Sequence, residues 1–223
     1  MGFFYYPIEA SFIVRSMPAA SLNASASRSR AEKRADEVVD AAASVFAAQG
    51  FHGASTQDVA DRLGMRQASL YYYFPSKEAM LEQVCLRSVG DFIARALEVS
   101  QGAGTAPEKL ASIIRNHLIP GEERPDYVRC FLRERRFLPQ DSRRRIGRVA
   151  RRYEKILQDL IEGGIAAGEL RRDLDARLST LAILGMCNAA VDWYGKEPDA
   201  PVGRIAETFA ALVLAGLAAP KAG

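Results

Sequence analysis

The sequence predicts an all-α protein, with a small unit of helices at the amino end and a larger helical domain behind it. Two observations predict this class. Apolar residues recur at intervals of three and four along most of the chain, and glycine or proline interrupts these runs at the breaks. Hydrophobic residues make up 48% of the 223 positions, which is ample for a buried core. We expect about nine helices in two domains, a first domain (30–76) and a second domain (77–223). A flexible tail (1–29) precedes them.

The first predicted helix runs from Arg30 to Gln49. Gly50 follows it at a position where a left-handed residue commonly ends a helix, and Phe51 is expected to fold back onto the helix. The apolar stripe of this helix consists of Val38, Val39, Ala42, Val45 and Phe46.

A short segment, 55–77, has the pattern of two helices joined by a tight turn. Ser55 is suited to cap the first of them, and Asp58 stands three residues later, as in a capping box. Gly64 lies at the turn, because glycine adopts a positive φ without a Cβ penalty. The segment is therefore predicted to be a helix-turn-helix.

The second helix of this motif is predicted from Arg66 to Phe74. Leu70 and Phe74 are four residues apart, so they share a face that points to the core. Pro75 ends the helix, and Ser76 caps a fourth helix that runs to about Val99. The fourth helix is long enough to connect the first domain to the second.

The side chains left on the outer face of the motif suit double-stranded DNA. The amide of Gln67 can pair with adenine, the small Ala68 can approach a thymine methyl, and hydroxyl or ammonium groups suit phosphates. A helical hairpin with an aromatic core helix is the alternative, but at most one or two of three consecutive tyrosines can face inward. The predicted DNA contacts are Thr56, Gln57, Arg66, Gln67, Ala68, Ser69, Tyr71, Tyr73 and Lys77.

The region 54–81 resembles the DNA-binding domain of the TetR/AcrR family of bacterial transcriptional repressors. The matching residues are Thr56, Val59, Ala60 and Gly64, the run LYYYF at 70–74, and Ser76, Lys77 and Glu78. One position departs from the family pattern: Arg66 stands where a Ser or Thr usually caps the recognition helix, and its guanidinium can reach a phosphate or a guanine. The resemblance implies a homodimer that grips a palindromic operator and is released by a small effector.

The charge distribution argues against a sequence-neutral architectural DNA binder. The net charge of the chain is only +3, and residues 28–88 hold eight basic and eight acidic residues. A neutral module predicts moderate non-specific affinity and a need for two copies at each site.

The amino-terminal tail has apolar patches but lacks the pattern of a signal peptide. One hypothesis is that translation starts at Met17, so that residues 1–16 do not belong to the native protein. The alternative is functional: the basic end of the tail reaches into a minor groove.

A run with a strong positive charge lies in the second domain. Residues 124–155 include twelve basic and four acidic residues. On a helical wheel one side is apolar, and the opposite side holds Arg144, Arg148, Arg151, Arg152 and Lys155. A solvated helix face and an anion-binding role remain the two interpretations.

Two strongly apolar helices close the chain, from Leu178 to Tyr194 and from about Val202 to Ala218. The second is too short to cross a bilayer. We expect a four-helix dimer interface with two helices from each subunit; a core pair within one chain is the alternative. The small residues predicted to allow close approach are Ala210, Ala211, Ala215 and Gly216.

The second domain also resembles, more loosely, family members that regulate fatty-acid or sterol breakdown. The similar segments are RERRFLP (133–139) and NAAVDWY (188–194). This resemblance implies an acyl-CoA effector, held by arginines and an apolar tunnel. A neutral hydrophobic compound, as for a regulator of an efflux pump, is the alternative, and Tyr194 would serve it with other aromatic residues. The predicted ligand residues are Tyr127, Phe131, Arg133, Arg136, Phe137, Asn188 and Trp193.

No pattern in the sequence predicts an enzyme, a metal site or a cofactor other than the effector. His52 and His117 lack a nucleophile or ligand partner at a recognisable spacing and are expected to be structural or exposed. Cys85, Cys130 and Cys187 are widely spaced, which predicts reduced thiols in a cytoplasmic protein.

Overall fold

The computed structural model describes residues 30–194, 196 and 199–219. The tail, with the hypotheses about Met17 and a basic arm, lies outside the described residues. Nine α-helices form within the described part, together with one isolated bridge. They are α1 (Arg30–Gly53), α2 (Thr56–Arg62), α3 (Gln67–Tyr73), α4 (Lys77–Gln101), α5 (Ala106–Glu123), α6 (Pro125–Arg129), α7 (Gln140–Ala166), α8 (Ala176–Ala190) and α9 (Val202–Leu217).

The local signals at the start of the chain are confirmed. Gly50 has a φ of 73° and kinks α1, and Gly64 has a φ of 61° between α2 and α3. Ser55 Oγ accepts from the backbone N–H of Asp58 at 3.1 Å, and the Asp58 carboxylate accepts from the backbone N–H of Ser55 at 2.7 Å. This reciprocal capping box fixes where α2 begins.

A first hydrophobic core joins α1, α2 and α3 to the beginning of α4. Val38, Phe46 and Leu70 are fully buried there. Met80 and Leu81 of α4 belong to the same core, which therefore extends past residue 76. Side chains from the π-helical turn Cys130–Glu134 and from α7 complete it.

A second core surrounds α5, which packs against α4, α7, α8 and α9. Leu110 and Ile114 of α5 and Leu157 of α7 are almost fully buried in it. The later part of α4 enters this core through Val89 and Phe92. Because α4 is shared by both cores, a displacement in one core is transmitted to the other.

One helix continues through a proline, and another ends earlier than predicted. α5 runs through Pro120 to Glu123, although proline in a helix interior removes a backbone hydrogen bond. The hydrogen bond lost at Pro120 is tolerated because its side chain is buried in the packed end of the helix. In contrast, α8 ends at Ala190, and the segment up to Tyr194 forms turns instead of the expected helix. Within the described residues, no helix is long and apolar enough to cross a membrane.

Candidate DNA-binding surface and effector cavity

The outer face of α3 is open to solvent, as predicted. Leu70 is completely buried and anchors the helix, whereas Tyr71 is 50% exposed. Ala68 and Ser69 are exposed at the amino-terminal end of α3, where a recognition helix meets base edges. Arg66 is also exposed and makes no capping hydrogen bond with its side chain.

A chain of hydrogen bonds joins α2 to α3 on this surface. Gln67 Nε2 donates to Thr56 Oγ1 at 2.6 Å, and Thr56 Oγ1 lies 3.3 Å from the hydroxyl of Tyr71. Gln57 on α2 donates to Asp61 at 2.5 Å. The predicted base-contacting amide of Gln67 is therefore held in place before DNA arrives, which reduces the entropy lost on binding.

The prediction for Tyr73 is wrong in one respect. Tyr73 is half-buried against the first core, whereas Tyr72, which was not predicted, is 79% exposed. The spacing contained this signal, because Tyr73 follows the buried Leu70 by three residues and so shares its face. Tyr71 and Tyr72 are therefore the tyrosines of α3 that are exposed to solvent.

Lys77 was predicted to contact DNA phosphates, and the structure corrects this assignment. Its ammonium donates to the carbonyl oxygens of Phe51 and Ala54, at 2.7 and 2.8 Å. It also lies 4.4 Å from the centroid of the Phe51 ring. Lys77 thus ties the start of α4 to the end of α1, and its role is mainly structural.

A small cavity lies inside the second domain. Its volume is about 10 Å³, enough for about one water molecule. Asn188, a predicted ligand residue, lines it, and so does His117, which was expected to have only a structural or exposed role. The other lining residues are Leu118, Val128, Ala190, Val191, Tyr194, Val202 and Ile205.

His117 carries the polar chemistry of this cavity. Its Nδ1 lies 2.9 Å from the hydroxyl of Tyr153, and its Nε2 lies 3.2 Å from Oδ1 of Asn188. The ring stacks on Phe92 at 4.8 Å. Burial lowers the pKa of His117 to about 4, against a smaller opposing effect of the Asn188 hydrogen bond. The imidazole is therefore neutral at pH 7, and both of its ring nitrogens are engaged by protein side chains.

A wider basic cavity adjoins the first. Its volume is about 220 Å³, and its lining includes Arg129, Arg133 and Lys196. Arg133, a predicted ligand residue, donates to the carboxylate of Asp192. This hydrogen bond holds the pKa of Asp192 below its usual range, so the carboxylate remains charged and an incoming anion must compete with it.

Several predicted ligand residues lie elsewhere. Tyr127 is buried in the first core, and Phe137 packs beside Phe51. Aromatic composition suggested a pocket for these two residues, but tertiary packing places them against the DNA-binding unit. Neither cavity is lined by the remaining three: Arg136 lies over Phe137, Phe131 packs between both cores, and Trp193 packs near Phe209.

Polar contacts connect the effector region to the DNA-binding unit. Arg124, at the end of α5, donates to Asp91 on α4 at 2.8 Å and to Asp40 on α1 at 3.2 Å. The hydroxyl of Tyr127 donates to the same Asp40. The junction of α5 and α6 therefore contacts both helices that position the helix-turn-helix.

A second connection joins α4 directly to α7. The buried Glu82 accepts two hydrogen bonds from Arg145, at 2.5 and 2.8 Å, and one from Ser142 at 2.7 Å. Burial favours the neutral carboxyl of Glu82, but these hydrogen bonds outweigh burial and lower its pKa. The first two turns of α4 are thereby fixed to α7.

Exposed apolar residues lie on α8 and α9, and none of the residues that the structure describes covers them. Leu178 and Leu212 are 63% and 62% exposed. Small residues on the two helices are exposed as well, and we call this set of exposed residues the α8–α9 face. It comprises Leu178, Leu181, Ala182, Gly185, Ala189, Ala211, Leu212 and Ala215. Ala210, predicted among them, is instead buried within the chain, because α9 packs that side on α5.

The basic side of α7 is exposed to solvent. Arg148, Arg151 and Arg152 are all exposed, and Lys155 pairs with Asp159 one turn later. The basic cavity, which is lined by Arg129 and Arg133, lies on other segments of the chain. This arrangement favours a solvated face for α7.

An exposed recognition helix, anchored on a small core and joined by a shared helix to a domain with a cavity, defines a ligand-responsive DNA-binding regulator. Comparison with known families agrees. The model of bacterial regulatory proteins of the tetR family matches residues 38–84, and that of the tetracyclin repressor-like C-terminal domain matches residues 103–217. The chain belongs to the TetR family, whose regulators bind operator DNA, act as homodimers and bind small-molecule effectors.

Individual relatives are similar over most of their length. The fatty acid metabolism regulator protein of Bacillus subtilis (strain 168) is 28% identical over 184 residues, covering 81% of this chain and 94% of its own. The transcriptional repressor KstR2 of Mycolicibacterium smegmatis is 30% identical over 201 residues, covering 85% and 93%. The structure of FadR from Bacillus subtilis in complex with stearoyl-CoA has a TM-score of 0.72 at 27% identity, covering 81% and 98%.

Proposed function

We propose that this protein is a repressor that binds a palindromic operator as a dimer and leaves it when an acyl-CoA thioester binds the second domain. The observation that carries the proposal is the open outer face of α3, in a chain similar to a regulator solved with stearoyl-CoA. As a DNA-bound regulator, it would act in the cytoplasm and would not need catalytic activity.

The α8–α9 face supports the dimeric part of the proposal. Its large apolar side chains are as exposed as those of a protein interface separated from its partner. A twofold pair through this face presents two copies of α3, and a palindromic operator requires two such copies about one DNA turn apart.

The two cavities support an amphipathic effector. The basic cavity offers arginines for phosphates, and the inner cavity offers an apolar lining with the polar groups of His117 and Asn188. An acyl-CoA has both chemistries. A neutral hydrophobic compound, the competing effector class, would use the inner cavity alone.

Selection from a random pool of duplexes tests the operator. The full chain should enrich an inverted repeat, and palmitoyl-CoA should release the protein from that repeat in a mobility-shift titration. Calorimetry with palmitoyl-CoA, coenzyme A and a neutral steroid then separates the effector classes. Enrichment of no common sequence would contradict the regulator, and release by the steroid alone would favour the competing class.

A further inference from the structure

The two cavities of the second domain share part of their lining, which we call the wall between them. Val191 and Tyr194 line both of them. On one side the lining includes Leu118, Val128 and Ile205, and on the other it includes charged residues. An apolar compartment and a basic compartment thus meet at Tyr194.

Tyr194 is held in this wall by a specific contact with α5. Its hydroxyl donates to the carbonyl oxygen of Gly121. That carbonyl lies in the last turn of the helix, and the residue four positions on is Pro125, which has no N–H to donate. The tyrosine hydroxyl therefore supplies a hydrogen bond that the backbone is unable to make.

The ring of Tyr194 also lies close to the backbone of α5. A Cβ built at Gly121 would lie 3.4 Å from the ring, at the limit of ordinary van der Waals contact, so the ring packs directly against this turn of α5. The backbone N–H of Tyr194 donates to the carbonyl oxygen of Ala190 at 2.8 Å, which fixes the backbone of the tyrosine against the end of α8. The wall is thus a packed and hydrogen-bonded feature of the structure.

We infer that Tyr194 is the specificity-determining residue of the effector site: its side chain must leave the wall before the apolar part of a ligand enters the inner cavity, while the anionic part stays with Arg129 and Arg133. This inference rests on the proposed function of the second domain. It selects amphipathic anions, because a wholly polar ligand gains nothing from opening the wall and a neutral one leaves the basic compartment unused.

The volumes support the need for opening. The inner cavity of about 10 Å³ and the outer one of about 220 Å³ are each smaller than common sites for small molecules, which enclose roughly 300–1,000 Å³. Moving the phenol ring joins the two compartments into one site and adds the volume of the ring. A ligand binds only the open arrangement, so it draws the population toward that arrangement.

Opening the wall has a direct consequence for DNA binding. Displacement of Tyr194 leaves the Gly121 carbonyl without its donor, three residues before Arg124. Arg124 holds Asp40 of α1 and Asp91 of α4. A change at the end of α5 is thereby passed to the two helices that carry the helix-turn-helix.

The test compares Tyr194→Phe, which keeps the ring and loses the hydroxyl, with Tyr194→Ala, which removes the ring. The probe is 1-anilinonaphthalene-8-sulfonate, an anionic amphiphile, mixed with the full chain in a stopped-flow instrument. Energy transfer from Trp193, the single tryptophan of the sequence, restricts the signal to probe bound near the wall. Tyr153→Phe is the matched control. It loses a hydroxyl that is hydrogen-bonded to His117 in the same core, but Tyr153 lines neither cavity.

We expect the association rate of the probe to rise about fivefold in Tyr194→Phe, as for the loss of one hydrogen bond of about 1 kcal/mol, and further in Tyr194→Ala. Tyr153→Phe should stay within about twofold of the wild type, which the same measurement checks. Thermal melting identifies folded variants, and if Tyr194→Ala does not fold, Tyr194→Phe decides alone. Equal rates in the wild type and Tyr194→Phe would overturn the inference.

A separate titration keeps this inference distinct from the proposed function. Palmitoyl-CoA is added to the wild-type protein on its selected operator. Faster probe entry in Tyr194→Phe supports the wall even if palmitoyl-CoA leaves the operator bound, in which case the acyl-CoA proposal fails. Release of the operator by palmitoyl-CoA, with unchanged probe entry in Tyr194→Phe, overturns the wall and leaves the proposed function intact.

Discussion

The DNA-binding surface and the effector site are built in opposite ways. The face of α3 is open, and Gln67 is already positioned on it by hydrogen bonds with α2. In the proposed effector site, Tyr194 stands between the two cavities, and the inner one has room for about one water molecule. One surface is complete before its partner arrives, and the other becomes complete only after a side chain moves.

This difference follows from what each partner can contribute. DNA offers a rigid groove with a fixed spacing, so a protein gains by holding its contacts ready. An amphipathic effector must instead change the protein in order to regulate it, and it does so only by binding one arrangement more tightly than the other. A preformed and rigid effector site would bind without transmitting a signal.

The largest expected effect concerns dimerisation through the α8–α9 face, which would place two copies of α3 on one operator. Leu212→Asp places a charge on the α8–α9 face, and we expect operator affinity to fall about 1,000-fold, or roughly 4 kcal/mol, because a single subunit holds one half-site. Analytical ultracentrifugation and mobility shifts on the selected operator measure this. Gln101→Asp, on the exposed end of α4, is the charge-matched control. A variant that stays dimeric and retains its affinity would contradict the interface.

A second prediction compares two neighbouring side chains of α3. Leu70→Ala should lower the free energy of unfolding by about 3 kcal/mol, because Leu70 is fully buried. Tyr72→Ala should change it by less than about 0.5 kcal/mol, since Tyr72 is mostly exposed, yet it should weaken operator binding. Urea unfolding and mobility shifts give the two quantities. Equal loss of stability in both variants would show that the outer face of α3 is not free.

The buried, neutral imidazole of His117 should make the free energy of unfolding depend on pH. The pKa of His117 is about 4 in the folded protein, whereas that of an unperturbed histidine is 6.5. Between these values the unfolded chain binds a proton that the folded chain does not, so stability is lost as the pH falls from 6.5 toward 4. The loss from this group is about 3 kcal/mol. Urea unfolding across this range should show a steeper decline in the wild type than in His117→Gln, and parallel curves would be inconsistent with a buried neutral imidazole.

A substitution at Lys77 tests whether this residue contributes to DNA binding or only to stability. Lys77→Met removes hydrogen bonds to two backbone carbonyls, and we expect the free energy of unfolding to fall by about 2 kcal/mol. The salt dependence of operator binding should keep nearly the same slope, because the ammonium is occupied within the protein. Arg66→Met is the comparison, since an exposed guanidinium without a capping bond should reduce that slope by about one. A smaller slope in Lys77→Met would restore the role in phosphate binding.

The smallest expected effect is on the discrimination between bases of the operator. Gln67→Ala should reduce the preference for the best base at one position of each half-site by about 1–2 kcal/mol and leave binding to random DNA unchanged. Competition binding with single-base operator variants measures it. Gln49→Ala, at an exposed position of α1 outside the predicted DNA contacts, provides the matched control.

Local patterns predicted the first domain well because its signals are short-range. The capping box at Ser55, the positive φ of Gly64 and the burial of Leu70 each follow from residues within one or two helical turns. The spacing also contained the correct placement of Tyr73. Lys77 was beyond this reach, because its carbonyl partners lie 23 and 26 residues away in the chain.

The sequence by itself determined the helical class, the helix-turn-helix, the family and the apolar character of the last two helices. Tertiary structure alone decided which aromatic residues face a cavity: Tyr127 and Phe137 went to the DNA-binding unit, whereas Tyr194 came to stand between two compartments. The physical reason is the range of the interactions. Helix caps and periodicity act over a few residues, but a cavity forms where helices distant in sequence fail to fill the space between them.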